Sequence, residues 1–197
     1  MFEETDFNAF EDLTLTGRLT RIRRDLDPKF EQAGAVLLQR AQTVGLPALH
    51  LHIAKHARRH KNPPVDTWLA LSTNPRGYKM LPHIELGFWD DRLFLWLAVL
   101  QEGKGATRDL SALTSAVLAL DHSFEVSGDH TDQFGAQPLT AASLAHQTTR
   151  FQTVKRGEWL LGKTYLRTDP LWQTPDALWA DILQRFDQLL PIYRQLV

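Results

Sequence analysis

The sequence predicts an α+β fold: a single domain over residues 1–197, built on an antiparallel β-sheet covered by helices. Three observations predict it. Strand-like, period-two patterns follow one another between residues 49 and 100 with no helical pattern between them, so they lack the crossover helices that a parallel sheet requires. Helical periodicity is confined to the flanks, before residue 45 and after residue 110, where it is broken by late strands. A chain of 197 residues that is 43% hydrophobic, with ten Phe and six Trp, suits one core.

Thr5 is expected to cap a short first helix bearing Phe7 and Phe10. Thr16 opens a second, in which Leu19, Ile22 and Leu26 recur at helical spacing. Pro28 suits the first turn of a third, whose stripe is Phe30, Ala33, Val36, Leu37 and Ala41 and which ends at Gly45. Leu49, Leu51 and Ile53 then alternate with His50 and His52, the period of a strand. Asp66–Thr73, His83–Trp89 and Arg92–Leu100 are three more strands, the last two joined by a hairpin at Asp90-Asp91. Residues 93–100 are apolar on both faces and belong in the sheet interior. A helix over Leu110–Leu120, a short strand at Phe124–Val126 and a polar loop over Gly128–Pro138 follow. Then come a helix over Ala141–Val154 capped by Thr140, a strand over Trp159–Arg167, and a last helix from Pro175 capped by Thr174, which Pro191 is expected to kink or end.

Charge is unevenly placed. Between His52 and Lys79 stand Lys55, Arg58, Arg59, Lys61, Arg76 and Lys79 against the single acid Asp66, a local +5 in a chain of net charge −1. Such a concentration points to an anionic ligand. Several classes are excluded or left without support. With no cysteine there are no disulfides, thiolate metal sites or Cys nucleophiles. The longest apolar run, eight residues, is far short of the roughly 20 that cross a membrane. The acidic N-terminus has no basic n-region or apolar run, so a cytoplasmic address is expected. Neither a Walker A loop nor G-x-G-x-x-G nor G-x-S-x-G is present.

The central stretch carries three motifs in order: H-x-A-K-H-A-R-R from His52 to Arg59, N-P-P-x-D-T-W from Asn62 to Trp68, and N-x-R-G-Y-K-M-L-P-H from Asn74 to His83, followed by Gly87 and Trp89. This combination resembles the YktB-like family of bacterial proteins, a domain of unknown function. Looser similarity extends over nearly the whole chain. The resemblance implies one α+β domain of about this length and brings no activity with it. His50 and His60 lie outside the family pattern.

The residues themselves suggest a pocket formed by residues 52–61 and 74–83. Lys55, Arg58, Arg59, Arg76 and Lys79 are the candidate anion ligands, Arg supplying forked donors and Lys a compact charge. If Ala54–His60 is helical, Lys55, Arg58 and Arg59 share a face. Asn62 and Asp66 would fix the turn and orient the guanidinium groups; Tyr78 can stack or pack; His56 and His83 can contribute hydrogen bonds or proton transfer. His52, His56 and His60 are spaced by four, yet no carboxylate stands at ligand spacing and cations surround them, so no metal and no cofactor is expected. Trp68, Phe88, Trp89, Phe94 and Trp96 read as core. The expected partner is a phosphorylated small molecule or a nucleic-acid backbone. The alternatives are an enzyme acting on a phosphate ester through a histidine acid–base, and a structural or interaction protein whose cations pair internally with acids. Oligomeric state is not legible.

Overall fold

The stretches DTWLALS, HIELGFW and RLFLWLAV form strands β2 (Asp66–Ser72), β3 (His83–Trp89) and β4 (Arg92–Val99), preceded by β1 (His50–Ile53) and followed by β5 (Glu125–Ser127), β6 (Gln137–Pro138) and β7 (Trp159–Leu166). In the computed structural model, which describes residues 1–107 and 109–197, they make one seven-stranded antiparallel sheet in the order β1-β2-β3-β4-β7-β5-β6. The fold is α+β, as the alternation predicts. β3 and β4 are central, and β7 inserts beside β4 in the register Trp96↔Gly162.

The period-two pattern gives the sheet two different faces. Leu69, Leu71, Ile84, Leu86, Phe88, Leu93, Leu95, Leu97, Leu161 and Tyr165 point to one of them. They pack under α2 (Asp27–Thr43) and α5 (Pro175–Leu196), whose Phe30, Leu37, Ile182, Phe186 and Leu189 are fully buried. Phe88 centres an aromatic cluster, with ring centroids 5.4 Å from Phe2, 5.1 Å from Phe7, and 6.3 Å from both Phe30 and Trp172. On the opposite face Trp89, Phe94, Trp96, Ala98, Leu100 and Leu160 form a second, smaller apolar cluster, with Trp68 and Ala136 against it. Glycines let the large rings lie on neighbouring strands. A Cβ at Gly87 would stand 2.5 Å from both Phe94 and Trp68, and one at Gly162 would meet Leu95 O at 1.8 Å and Trp96 at 2.7 Å.

The flanks differ from expectation in instructive ways. The first helix is a 3-10 helix over Glu4–Phe10 capped at Glu3, not Thr5: Asp6 reaches back to the Glu3 N–H at 2.8 Å. α1 (Leu15–Arg21) is capped by Thr14 and runs through a π turn (Ile22–Leu26) into α2, so the two expected helices are nearly continuous. The wider turn ends two residues before Pro28, whose missing N–H and bulky ring disrupt regular α-helical pairing. The segment after β4 holds 3-10 turns at Gln101–Ala106 and Leu110–Leu113 before the short α3 (Thr114–Leu118). α4 (Ala141–Thr153) is capped by Thr140, which accepts from Ser143 N at 3.0 Å. Thr174 stands at the start of α5 without a side-chain cap bond, and α5 continues past Pro191 to Leu196.

Replacing Phe88 by Ala empties the centre of the aromatic cluster and is expected to cost about 3–5 kcal/mol in urea denaturation. Leu13→Ala, at a side chain 82% exposed, should stay within about 0.5 kcal/mol of wild type.

Candidate functional site

Leaving β1, the chain continues one pairing step, Ala54 N–H donating to Trp68 O at 2.9 Å, and then turns. Residues 54–62 are not helical. A turn closes from Arg59 N–H to His56 O at 3.0 Å, with His56 in the left-handed region at φ 49°. The shared helical face imagined for Lys55, Arg58 and Arg59 therefore does not exist, and neither does a helical row of His52, His56 and His60. The Asn62-Pro63-Pro64 corner is fastened from outside the stretch. Arg18 on α1, 7% exposed, donates to Pro64 O at 2.8 Å and also to the carbonyls of Phe10 and Asp12. Burial of this guanidinium among three main-chain carbonyls joins the corner to the N-terminal helices.

The second wall is the segment between β2 and β3. Asn74 Oδ1 accepts from Arg76 N–H at 2.9 Å, Asn74 O bonds to His52 Nε2 at 2.9 Å, and Leu81 N–H donates to Tyr78 O at 3.0 Å. Tyr78 accepts from Trp68 Nε1 at 2.9 Å, and its ring lies 4.9 Å from that of His83. Burial pushes the Tyr78 phenol well above its usual range, with the charge of Glu85 adding to the effect.

Between these walls lies a cavity of about 670 Å3 lined by Ala54, His56, Arg58, Arg59, Asp66, Trp68, Lys79 and Glu102. Five of the ten candidate residues meet here: His56, Arg58, Arg59, Asp66 and Lys79. Lys55, Asn62 and Arg76 are exposed outside its lining, while Tyr78 stands behind Trp68. His83 is sealed, 0% exposed, with Nδ1 donating to Leu81 O at 2.8 Å and Nε2 3.0 Å from Glu85 Oε1. Trp68, read as core from sequence, is half-buried and forms part of the wall; Trp89, Phe88, Phe94 and Trp96 are buried as expected. Sequence reasoning missed Trp68 and Glu102. The i, i+2 spacing of Asp66 and Trp68 placed both on one face and was the available signal for the first. Nothing local signals Glu102, which arrives from the turn after β4.

Among the described residues, none of Lys55, Arg58, Arg59, Lys61, Arg76 and Lys79 lies within 4.0 Å of a carboxylate. The internal salt-bridge reading required the opposite, and the orienting bond expected from Asp66 to Arg58 or Arg59 is not made. The acids are engaged with other cations: Asp6 with Lys29, Asp91 with Arg92, Glu4 with Arg167, and Asp181 with Lys163 and Arg185.

Titration behaviour follows from burial. Burial lowers the His56 imidazole to about 4, with the charges of Arg59 and Arg23 adding to the effect, so it is neutral at pH 7; Nε2 lies 3.1 Å from Thr67 Oγ1. Burial raises Asp66 to about 6, and the charge of Glu85 raises it further against the opposing pull of Arg59. Burial also pushes Glu85 upward, but the bond and charge of His83, with His130 and Lys79, outweigh it and hold this carboxyl below its ordinary value. Both nitrogens of His83 face oxygen atoms, Leu81 O and Glu85 Oε1.

The family domain described as "Domain of unknown function (DUF1054)" matches residues 2–193. The chain belongs to this family. It is similar to a UPF0637 protein of Lacticaseibacillus paracasei, 51% identical over 197 residues covering 100% of this chain and 98% of the relative. It is also similar to UPF0637 proteins of Levilactobacillus brevis (45% over 199 residues, covering 100% and 99%) and Oceanobacillus iheyensis (40% over 196 residues, covering 98% and 95%). The resemblance carried by the three central motifs is thus correct, and the DUF1054 assignment extends it over nearly the whole chain. Membership brings a fold and a length but no reaction. Among the described residues no helix is long and apolar enough to cross a membrane.

The Asp66 carboxyl carbon, followed by NMR, should titrate near pH 6 rather than near the ordinary 3.8. Because the folded value is the higher one, the folded protein keeps this proton between about pH 6 and 3.8, where the unfolded chain has lost it. Acidification through that window should therefore stabilise wild type relative to Asp66→Asn in denaturation experiments. His56 acts in the opposite direction but is common to both proteins.

Proposed function

We propose that this protein binds a phosphate-bearing small molecule in the cavity between the 54–62 turn and the segment that carries Lys79. One observation carries the reading: Arg58, Arg59 and Lys79 line a single cavity, and none of them has a carboxylate partner within 4.0 Å. Unpaired guanidinium groups offer forked donors to a phosphate. Concavity favours a small molecule over a nucleic-acid backbone, which would call for a basic stripe along a surface. The half-buried Trp68 offers the ligand an apolar wall, while Asp66 and Glu102 offer acceptors to hydroxyl or amino groups.

A second reading rests on its own observation. His56, neutral at pH 7, and Asp66, titrating near 6, line the same cavity as the cations, so two groups able to exchange a proton stand beside the anion site. This supports an enzyme acting on a phosphate ester, with His56 rather than the sealed His83 in the acid–base role.

Calorimetric titration with inorganic pyrophosphate as the probe tests the binding reading. Arg58→Ala and Lys79→Ala should each weaken binding about tenfold or more, the loss of one charge-assisted bond. Lys155→Ala, on the exposed turn after α4, should leave it unchanged. Equal affinity in all three variants would remove the cavity as the site. An affinity that falls with salt as steeply as a multi-phosphate contact, together with preference for DNA or RNA over pyrophosphate, would favour the nucleic-acid backbone instead.

A further inference from the structure

A second constellation lies where the loop after β5 meets the start of β7. Asp129 and His130 stand on that loop, and Glu158 immediately precedes β7. One ligand atom from each lies within 4.8 Å of the others. His130 Nδ1 is 2.7 Å from Glu158 Oε2, which also accepts the His130 backbone N–H at 2.8 Å. The Glu158 side chain is only 5% exposed. The Asp129 carboxylate is held by Thr131, whose N–H and hydroxyl both donate to Oδ1, at 2.8 and 2.6 Å. No bond to Asp129 Oδ2 is made among the described residues.

We infer that Asp129, His130 and Glu158 form a binding site for a divalent transition metal. One imidazole nitrogen with two carboxylate oxygens is a donor set for zinc or manganese, and the two carboxylates balance the ion's charge. In a tetrahedral zinc site, with bonds of about 2.0–2.1 Å, ligand atoms stand about 3.3 Å apart, so binding needs the His130–Glu158 contact of 2.7 Å to open slightly while the longer separations, within 4.8 Å, close by about an ångström. The short contact between His130 and Glu158 has the character of a proton held where a metal would sit, since the metal needs imidazole and carboxylate deprotonated. The backbone bond from His130 to Glu158 and the Thr131 bonds to Asp129 fix two of the three ligands from behind, the outer-shell support that metal ligands commonly have.

An independent observation points the same way. Asp129 also lines a cavity of about 280 Å3 with Asp132, His146, Gln147 and Arg150 among its walls. Gln147, 4% exposed, donates from Nε2 to the carbonyls of Ser127 and Leu160, at 2.6 and 2.8 Å. Both partners are pure acceptors, so the amide orientation is settled, and Oε1 is left buried without a donor. A buried oxygen lacking a partner is costly. A water bound to a metal at Asp129, filling the cavity, is a donor of the kind it lacks. Arg150 opposes a cation by charge, and it is engaged through Nη1 with Gly128 O at 2.7 Å.

The inference stands whether or not the basic cavity takes an anion, and its test does not use that ligand. Full-length protein is titrated with zinc chloride and, separately, manganese chloride, by calorimetry and by melting temperature. Wild type should take up one equivalent of at least one of the two and melt higher when loaded. Asp129→Asn keeps an Oδ1 acceptor for Thr131 while losing the ligand charge. Glu158→Gln keeps an oxygen for the His130 N–H. Each should weaken uptake at least about tenfold, and circular dichroism would check that each is folded. Should Glu158→Gln fail to fold, Asp129→Asn decides alone, because its loop bonds survive. No saturable uptake by wild type would overturn the inference, as would uptake unchanged in Asp129→Asn. Uptake lost only in His52→Asn would place the ion at the His50/His52 strand edge instead, with the same consequence.

Discussion

A carboxylate buried on the face of the sheet opposite α2 and α5 constrains that side of it. The alternation along β3 sends Ile84, Leu86 and Phe88 into the main core and must send His83, Glu85 and Gly87 the other way. Glu85 is 3% exposed, and a charge so placed is tolerated only when paired and hydrogen-bonded. His83, two residues before it on the same face, supplies the pair. His83 is in turn held by Leu81 O, and Tyr78 packs against its ring and takes a bond from Trp68. The segment between β2 and β3 is therefore drawn down onto the sheet, where it covers the buried Glu85 and its hydrogen-bonded partner His83. Lys79 lies on that segment and reaches the cavity rim because of it.

The freedom of the central cations has a second origin. The chain has about as many acids as bases, yet the bonded acids meet cations outside the 52–79 stretch: Asp6 with Lys29, Asp91 with Arg92, Glu4 with Arg167, Asp121 and Asp181 with Arg185. Asp66 and Glu102 enter the cavity wall without closing an ion pair. Arg18 does a different service: it bonds to three main-chain carbonyls and ties the proline corner to the N-terminal helices without neutralising any acid. The result is a fastened corner beside cations that, among the described residues, meet no carboxylate within 4.0 Å.

Most of the strand assignments were legible because a period of two is a local property. Asp66, Trp68 and Ala70 sit on one face whatever the strand pairs with, and the boundaries of β3 were readable from HIELGFW alone. Helix ends were less so. Glu3 rather than Thr5 caps the first turn, and a π turn joins α1 to α2 just before Pro28, because hydrogen-bond geometry and packing chose between caps that look equivalent in sequence. The candidate site was half legible. Charge density located the 54–79 stretch, but which of its cations share a cavity depended on a left-handed His56 and a non-helical turn that composition cannot foretell.

By itself, then, the sequence determined the alternating faces of the sheet, the α+β class, the family and the segment that holds the positive charge. Each depends on residues a few positions apart. Tertiary structure decided the strand order, with β7 placed beside β4, and the long-range pairings of the site: Glu102 with Arg59 in one cavity, Arg18 with Pro64, and His130 with Glu158. Those contacts join residues far apart in the chain, whose approach is set by the packing of the whole sheet rather than by any local preference.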